Sequence, residues 1–133
     1  MKVLIDTDVL IDVALRRAEF FSDSNQVMEW IESGAGQAAV AWHSLSNLAY
    51  MMTDARGFIR DLLQFMEIAP SGVPEVLAAL DLPMRDLEDA LQASAAKSFE
   101  AQWVITRNVA DYKKSPVPAI SPADFLERLM SAE

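Results

Sequence analysis

Cysteine is absent from this chain and histidine occurs once. Without cysteine there are no disulfides and no thiolate metal sites, which accords with a reducing cytoplasm. His43 has no second histidine or cysteine to join it, so it reads as a satisfied structural histidine, and a metal would find mainly oxygen ligands here. Long apolar runs are also missing. Nothing approaches the roughly 18 residues of a membrane span, and Asp6 and Asp8 interrupt the segment where the apolar core of a signal peptide would lie. Cations are scarce: eleven Lys and Arg face twenty Asp and Glu, for a formal charge of −9. Such a chain should not bind nucleic acid indiscriminately, because phosphate affinity is dominated by cations. Two openings remain, a basic partner or a set of carboxylates gathered around a divalent metal.

What is present points to a folded enzyme-sized unit. The 133 residues, 52% of them hydrophobic, suit one domain spanning 1–133 with a single substantial core. Short apolar runs read as strands at 2–6 (KVLID), 37–42 (QAAVAW), 66–70 (MEIAP), 103–106 (WVIT) and, weakly, 117–121 (VPAIS). Helical spacing fills the intervals. One helix runs from about Asp8 and is closed by Arg16 and Arg17. A second is capped within FSDSNQ and stops at Gly34, and a third is capped by Ser44. Others cover FIRDLLQFM, residues 74–81 and RDLEDALQASAAKSFEA, and a last one starts at Ser121-Pro122. Strands alternating with helices from end to end predict an α/β sandwich around a mostly parallel sheet of four or five strands. In such sheets ligands bind outside the carboxyl ends of the strands.

Carboxylates stand at those ends. The opening MKVLIDTDVLID places Asp6 directly after an apolar run, and a buried carboxylate neutralises, finds partners or binds a cation. Asp111 follows the WVIT strand within RNVADY, and Asp89 lies in the first turn of the longest helix. That helix is apolar or small on two faces, so Asp89 is expected to point into a crowded place. Convergence of Asp6, Asp89 and Asp111 would raise their pKa values unless a cation held them. An all-oxygen set favours Mg²⁺ or Mn²⁺, and the natural chemistry is phosphodiester hydrolysis. Asp8 and Asp12 read as a solvated first turn and an exposed helix face. First-turn acids such as Asp86, Glu88 and Asp89 also simply complement the helix dipole.

LIDTDVLID, DLEDALQASAA, WVITRNVADY and the tail SPVPAISPADFL occur in the order found in PIN-domain nucleases, which the chain resembles over nearly its whole length. Members of this kind serve as toxins of toxin–antitoxin pairs. The resemblance implies a three-layer α/β/α fold and a Mg²⁺- or Mn²⁺-dependent ribonuclease site in which Asp6, Asp89 and Asp111 hold the metal. Thr106 and Asn108 match positions that line the pocket, and Asp8 stands where many members carry Asn. It also implies an RNA substrate, a homodimer, a small antitoxin protein as partner, and no membrane. One position departs from the pattern: Asn47 stands where many members have Glu, in Ser44-Leu45-Ser46-Asn47. Its amide oxygen can still meet a hard cation, though with one formal charge fewer, and Glu88 is placed to compensate if it turns inward.

Substrate phosphates would be met by the few cations. Arg107, Lys113 and Lys114 flank the carboxylates and are better placed for it than Arg16, Arg17, Arg56 and Arg60. Two other readings stay in view. DTDVL touches the haloacid dehalogenase signature, but its fifth position is Leu10 and the later Gly-Asp element of that family is missing. The acidic balance and Asn47 also fit a PIN-like module that binds a partner and cleaves little.

Overall fold

The structure, a computed structural model, describes residues 1–132. Among these the chain runs β1 (Lys2–Ile5), α1 (Thr7–Ala14), α2 (Phe21–Glu32), β2 (Gln37–Val40), α3 (Trp42–Met51), α4 (Ala55–Leu62), β3 (Glu67–Ile68), α5 (Val73–Leu80), α6 (Leu87–Phe99), β4 (Trp103–Ile105), a 3-10 turn (Val109–Tyr112), β5 (Ala119–Ile120) and α7 (Pro122–Ser131). All strand pairings are parallel, in the order β3-β2-β1-β4-β5. The sheet is thus of the five-stranded α/β kind that the alternating pattern predicts.

The central strand shows why. In β1, Val3 and Ile5 join one core cluster and Leu4 the other, and all three are fully buried. That is the two-sided burial of a strand covered by helices on both faces. The first cluster draws Val9 and Leu10 from α1, Val27, Met28 and Ile31 from α2, Leu48 from α3, Leu62 from α4 and Phe125 from α7. The second is built on Ala93, Ala95, Ala96 and Phe99 of α6 with Val104 and Tyr112. Small side chains let α6 lie close against the sheet, and α5 packs on its outer side. From β1 the chain winds outward to β2 and β3, then returns to β4 on the other side. The crevice therefore opens between the ends of β1 and β4, where the winding direction reverses.

Several local expectations shift. FSDSNQ does not cap α2. Its N-cap is Phe20, without a side-chain bond, and Ser22, Asp23 and Ser24 lie inside the helix. Ser44 is not a cap either, because α3 starts two residues earlier and Ser44 is fully buried in its first turn. Its hydroxyl meets that of Thr7 at 2.7 Å, and Gln92 Nε2 donates to both. Arg16 and Arg17 fall beyond α1, which ends at Ala14, and Arg16 adopts φ +49°. The last helix begins as read, with Ser121 Oγ accepting from Asp124 N at 3.1 Å and Pro122 in the first turn. Among the described residues no helix is long and apolar enough to cross a membrane.

Candidate metal centre

Asp6 is held where β1 ends and α1 begins. Its amide donates to Ile105 O at 3.0 Å, which continues the strand pairing by one residue, and the residue serves as N-cap of α1. The side chain is almost completely buried. Oδ1 accepts from Thr7 N at 2.7 Å, and Oδ2 accepts from the hydroxyls of Thr106 at 2.8 Å and Tyr112 at 3.0 Å. Burial still outweighs those donors and pushes its pKa up.

Around Asp6 a cleft of about 510 Å³ is lined by Asp8, Arg17, Asn47, Glu88, Asp89, Asn108 and Asp111, among others. The side chains come from α1, α3, α6 and the loop after β4. Asp89 is half-buried; burial first, then the charges of Asp86, Asp6, Asp111 and Glu88, push it up to about 6. Asp8 is likewise pushed up to about 6 by burial and then Asp6. Tyr112 is buried, its hydroxyl 3.4 Å from Asp89 Oδ1 as well as 3.0 Å from Asp6. Its proton therefore links two carboxylates on different elements, and burial and both charges keep it protonated. Asn47 Nδ2 donates to Glu88 Oε1 at 2.7 Å on the cleft wall.

The cleft therefore brings together Asp6, Asn47, Glu88, Asp89, Asn108 and Asp111 of the sequence-derived set. Thr106 lies directly behind it, fully buried and bonded to Asp6. Lys113 and Lys114 are exposed and line an adjoining cleft of about 620 Å³ that shares Asp86, Asp89 and Asp111 and carries Arg85 as well. Arg107 is placed elsewhere. Its Nε donates to Asp12 Oδ2 at 2.7 Å and its guanidinium lies 3.9 Å from the centre of the Phe20 ring. Only its backbone N–H serves the site, donating to Asp8 Oδ2 at 3.0 Å.

Two acids differ from their sequence reading. Asp12 is not on an exposed face but wholly buried, and Asp8 is half-buried with Oδ1 enclosed and unpartnered. Helical spacing hid this, because α1 packs against both the sheet and α2 and leaves no wholly solvated side. His43 is half-buried with Nε2 enclosed beside the Glu88 backbone, and burial lowers its pKa. Tyr112 escaped notice as a site residue. The signal for it is its place next to Asp111, in a turn that points it back under the sheet end.

The donor set suits a hard divalent cation, being carboxylate and amide oxygen without thiolate or converging imidazole. The upward pKa shifts, together with the unpartnered Asp8 Oδ1, mark a cluster of negative charge in want of a counter-charge. Among the described residues no three such side chains already stand close enough to grip one ion. The carboxylates face a common space and would have to turn toward an ion to close on it.

The PIN-domain family model matches residues 2–110. The chain belongs to the PIN-domain family. No curated protein matches it. Similar folds occur in VapBC2 of Rickettsia felis bound to promoter DNA (TM-score 0.68, 15% identity, 91% of this chain and 98% of that one). They occur also in FitAcB of Neisseria gonorrhoeae (TM-score 0.65, 15% identity, 91% and 98%). A toxin–antitoxin complex from Klebsiella pneumoniae has a TM-score of 0.65 at 20% identity, covering 90% and 97%. At these identities the likeness concerns the fold.

Proposed function

We propose that this PIN domain hydrolyses RNA phosphodiester bonds with the help of Mg²⁺ or Mn²⁺ and acts as the toxin of a toxin–antitoxin pair. The observation that carries this reading is the convergence of Asp6, Asp89 and Asp111, from three separate elements, on one cleft at the switch point of the sheet. Asp6, Asp89 and Asp111 would hold the ion, with Asn47 and Glu88 on the adjoining wall. When bound, the ion supplies an activated water and neutralises charge on the phosphate.

The chain's own residues supply orientation. Thr106 and Tyr112 donate to the same oxygen of Asp6 and fix its rotamer. Lys113, Lys114 and Arg85 line the continuation of the cleft and have no ion-pair partner among the described residues. They are placed to take phosphates next to the one being cut, where phosphate contacts position the strand without reading its sequence. Arg107, committed to a buried carboxylate, is unsuited to that task. Asn47 holding Glu88 into the cleft wall puts a carboxylate beside the position where many PIN domains carry one.

Exposed apolar side chains on α5 (Val73, Leu77, Leu80) and α3 (Trp42, Tyr50, Met51) provide surface for a protein partner or a second copy. They are also what supports the second reading, a partner-binding module of low activity. Incubation with labelled single-stranded RNA separates the two. Cleavage in Mn²⁺, absent in EDTA and in Asp6→Asn, supports the nuclease. Tight antitoxin binding with no cleavage under any divalent ion supports the module.

A further inference from the structure

A buried charge pair beside the cleft has no part in the proposed chemistry. Asp12 lies one helical turn after Asp8 on α1 and is wholly buried. Its Oδ2 receives Arg107 Nε at 2.7 Å and Ser24 Oγ at 3.4 Å, and the guanidinium is stacked over Phe20. Asp8, on the same face at i and i+4 spacing, takes the backbone of the same loop. Its Oδ2 accepts from Arg107 N at 3.0 Å and from Asn108 Nδ2 at 3.2 Å. The loop after β4 is thus tied to α1 at two levels, at Asp8 by its backbone and the Asn108 side chain and at Asp12 by the Arg107 side chain.

What the loop carries matters to the site. Asn108 N donates to Thr106 Oγ1 at 3.0 Å, leaving the single hydroxyl proton of Thr106 for its nearest acceptor, Asp6 Oδ2 at 2.8 Å. Asn108 O accepts from Asp111 N at 3.0 Å, which opens the turn bearing Asp111 and Tyr112. A buried ion pair adds little stability over apolar residues of the same volume. Here the guanidinium is held in one direction by a single contact, Nε to Asp12 Oδ2, with Asp12 Oδ1 left unpartnered, and by the Phe20 ring beneath it.

We propose that Asp12, Arg107 and Phe20 form a latch that positions the loop after β4, and through it the aim of Asp6 and Asp111 at a bound cation. Asp12 and Arg107 are positioning residues, not ligands. The consequence for the cation rests on the metal-site reading above; the consequence for the loop does not. The test therefore has two readouts, Mn²⁺ affinity by calorimetry and amide hydrogen exchange in EDTA, both well below each variant's melting temperature. Asp12→Asn is expected to weaken Mn²⁺ binding about tenfold, the scale of losing an outer support of a metal ligand. It should also speed exchange at the amides of Arg107, Asn108 and Asp111 while those of β1 stay protected. Arg107→Lys, which keeps the charge but not the stack, should fall between Asp12→Asn and wild type.

Phe20→Leu keeps the ion pair and removes only the ring, so it should give a milder loss in both readouts and serves if Asp12→Asn does not fold. Wild-type affinity and wild-type loop exchange in the folded variants overturn the latch, however far the melting temperature falls. Should wild type itself not bind Mn²⁺, the metal reading fails and exchange alone decides. Loosened loop amides then support the latch, and unchanged ones overturn it.

Discussion

Replacing Asp89 with asparagine should stabilise the metal-free protein while destroying its affinity for the metal. Asp89 is pushed up from 3.8 to about 6 by burial and by Asp86, Asp6, Asp111 and Glu88. A shift of that size corresponds to about 3 kcal/mol at roughly 1.4 kcal/mol per unit. Because the side chain is half-buried, solvent screening reduces this to about 1–1.5 kcal/mol. Asparagine keeps the oxygen that Tyr112 faces but gives up the favourable charge in the first turn of α6, worth about 0.5 kcal/mol. The net expectation is a gain of about 0.5–1 kcal/mol, or a few degrees in melting temperature for a chain of this size.

The pH dependence follows from the direction of the shift. The folded state holds its proton more tightly than the unfolded one, so the ionised group penalises folding fully above pH 6, and the penalty fades toward the ordinary value of 3.8. Thermal melts of wild type and Asp89→Asn in EDTA at pH 7.5 and pH 4.5 are the assay. The variant should be the more stable at pH 7.5, and most of its advantage should be gone at pH 4.5. A variant less stable than wild type at pH 7.5, or an advantage of equal size at both pH values, would refute the repulsion argument.

Tyr112→Phe keeps the packing but removes one of the donors to buried Asp6; a loss of about 1–2 kcal/mol is expected in EDTA at pH 7.5 by urea denaturation. Asn47→Glu exchanges a hydrogen bond to Glu88 for a like charge, so the metal-free protein should melt lower while Mn²⁺ binds several-fold tighter, as paired melts with and without the ion would show. Gln92→Met takes away a buried Oε1 that has no partner and leaves Thr7 and Ser44 bonded to each other. Its cost should stay below about 1 kcal/mol, against roughly 1–3 kcal/mol for Ser44→Ala, which leaves the amide of Gln92 with one acceptor.

The order of strands and helices was readable because the inner strands β1, β2 and β4 are short apolar runs that are largely buried, whereas edge strand β3 is exposed and was marked only by the Pro and Gly that follow it. Each of Asp6, Asp89 and Asp111 has an ordinary local reading, as helix cap, first-turn acid and loop residue, and it was their shared place at the carboxyl ends of the strands that singled them out; all three line one cleft. The errors share one physical cause. Ser44, Ser24 and Asp12 carry polar atoms that local rules send to caps or solvent, yet tertiary packing of α1 against α2, α3 and α6 encloses them and pairs them with partners 12 to 95 residues away. Arg107 shows the same limit from the other side. Its position beside the carboxylates was legible, but the direction of its side chain depends on Asp12 and Phe20, and no local pattern ties the three together.

Titration of Mn²⁺ into wild type and into Asp6→Asn/Asp89→Asn, followed by calorimetry at pH 7.5, tests the central claim most directly. A saturable heat in wild type that is lost in the double variant is the result predicted by a converging carboxylate site. No heat in wild type, or the same heat in both proteins, would contradict it.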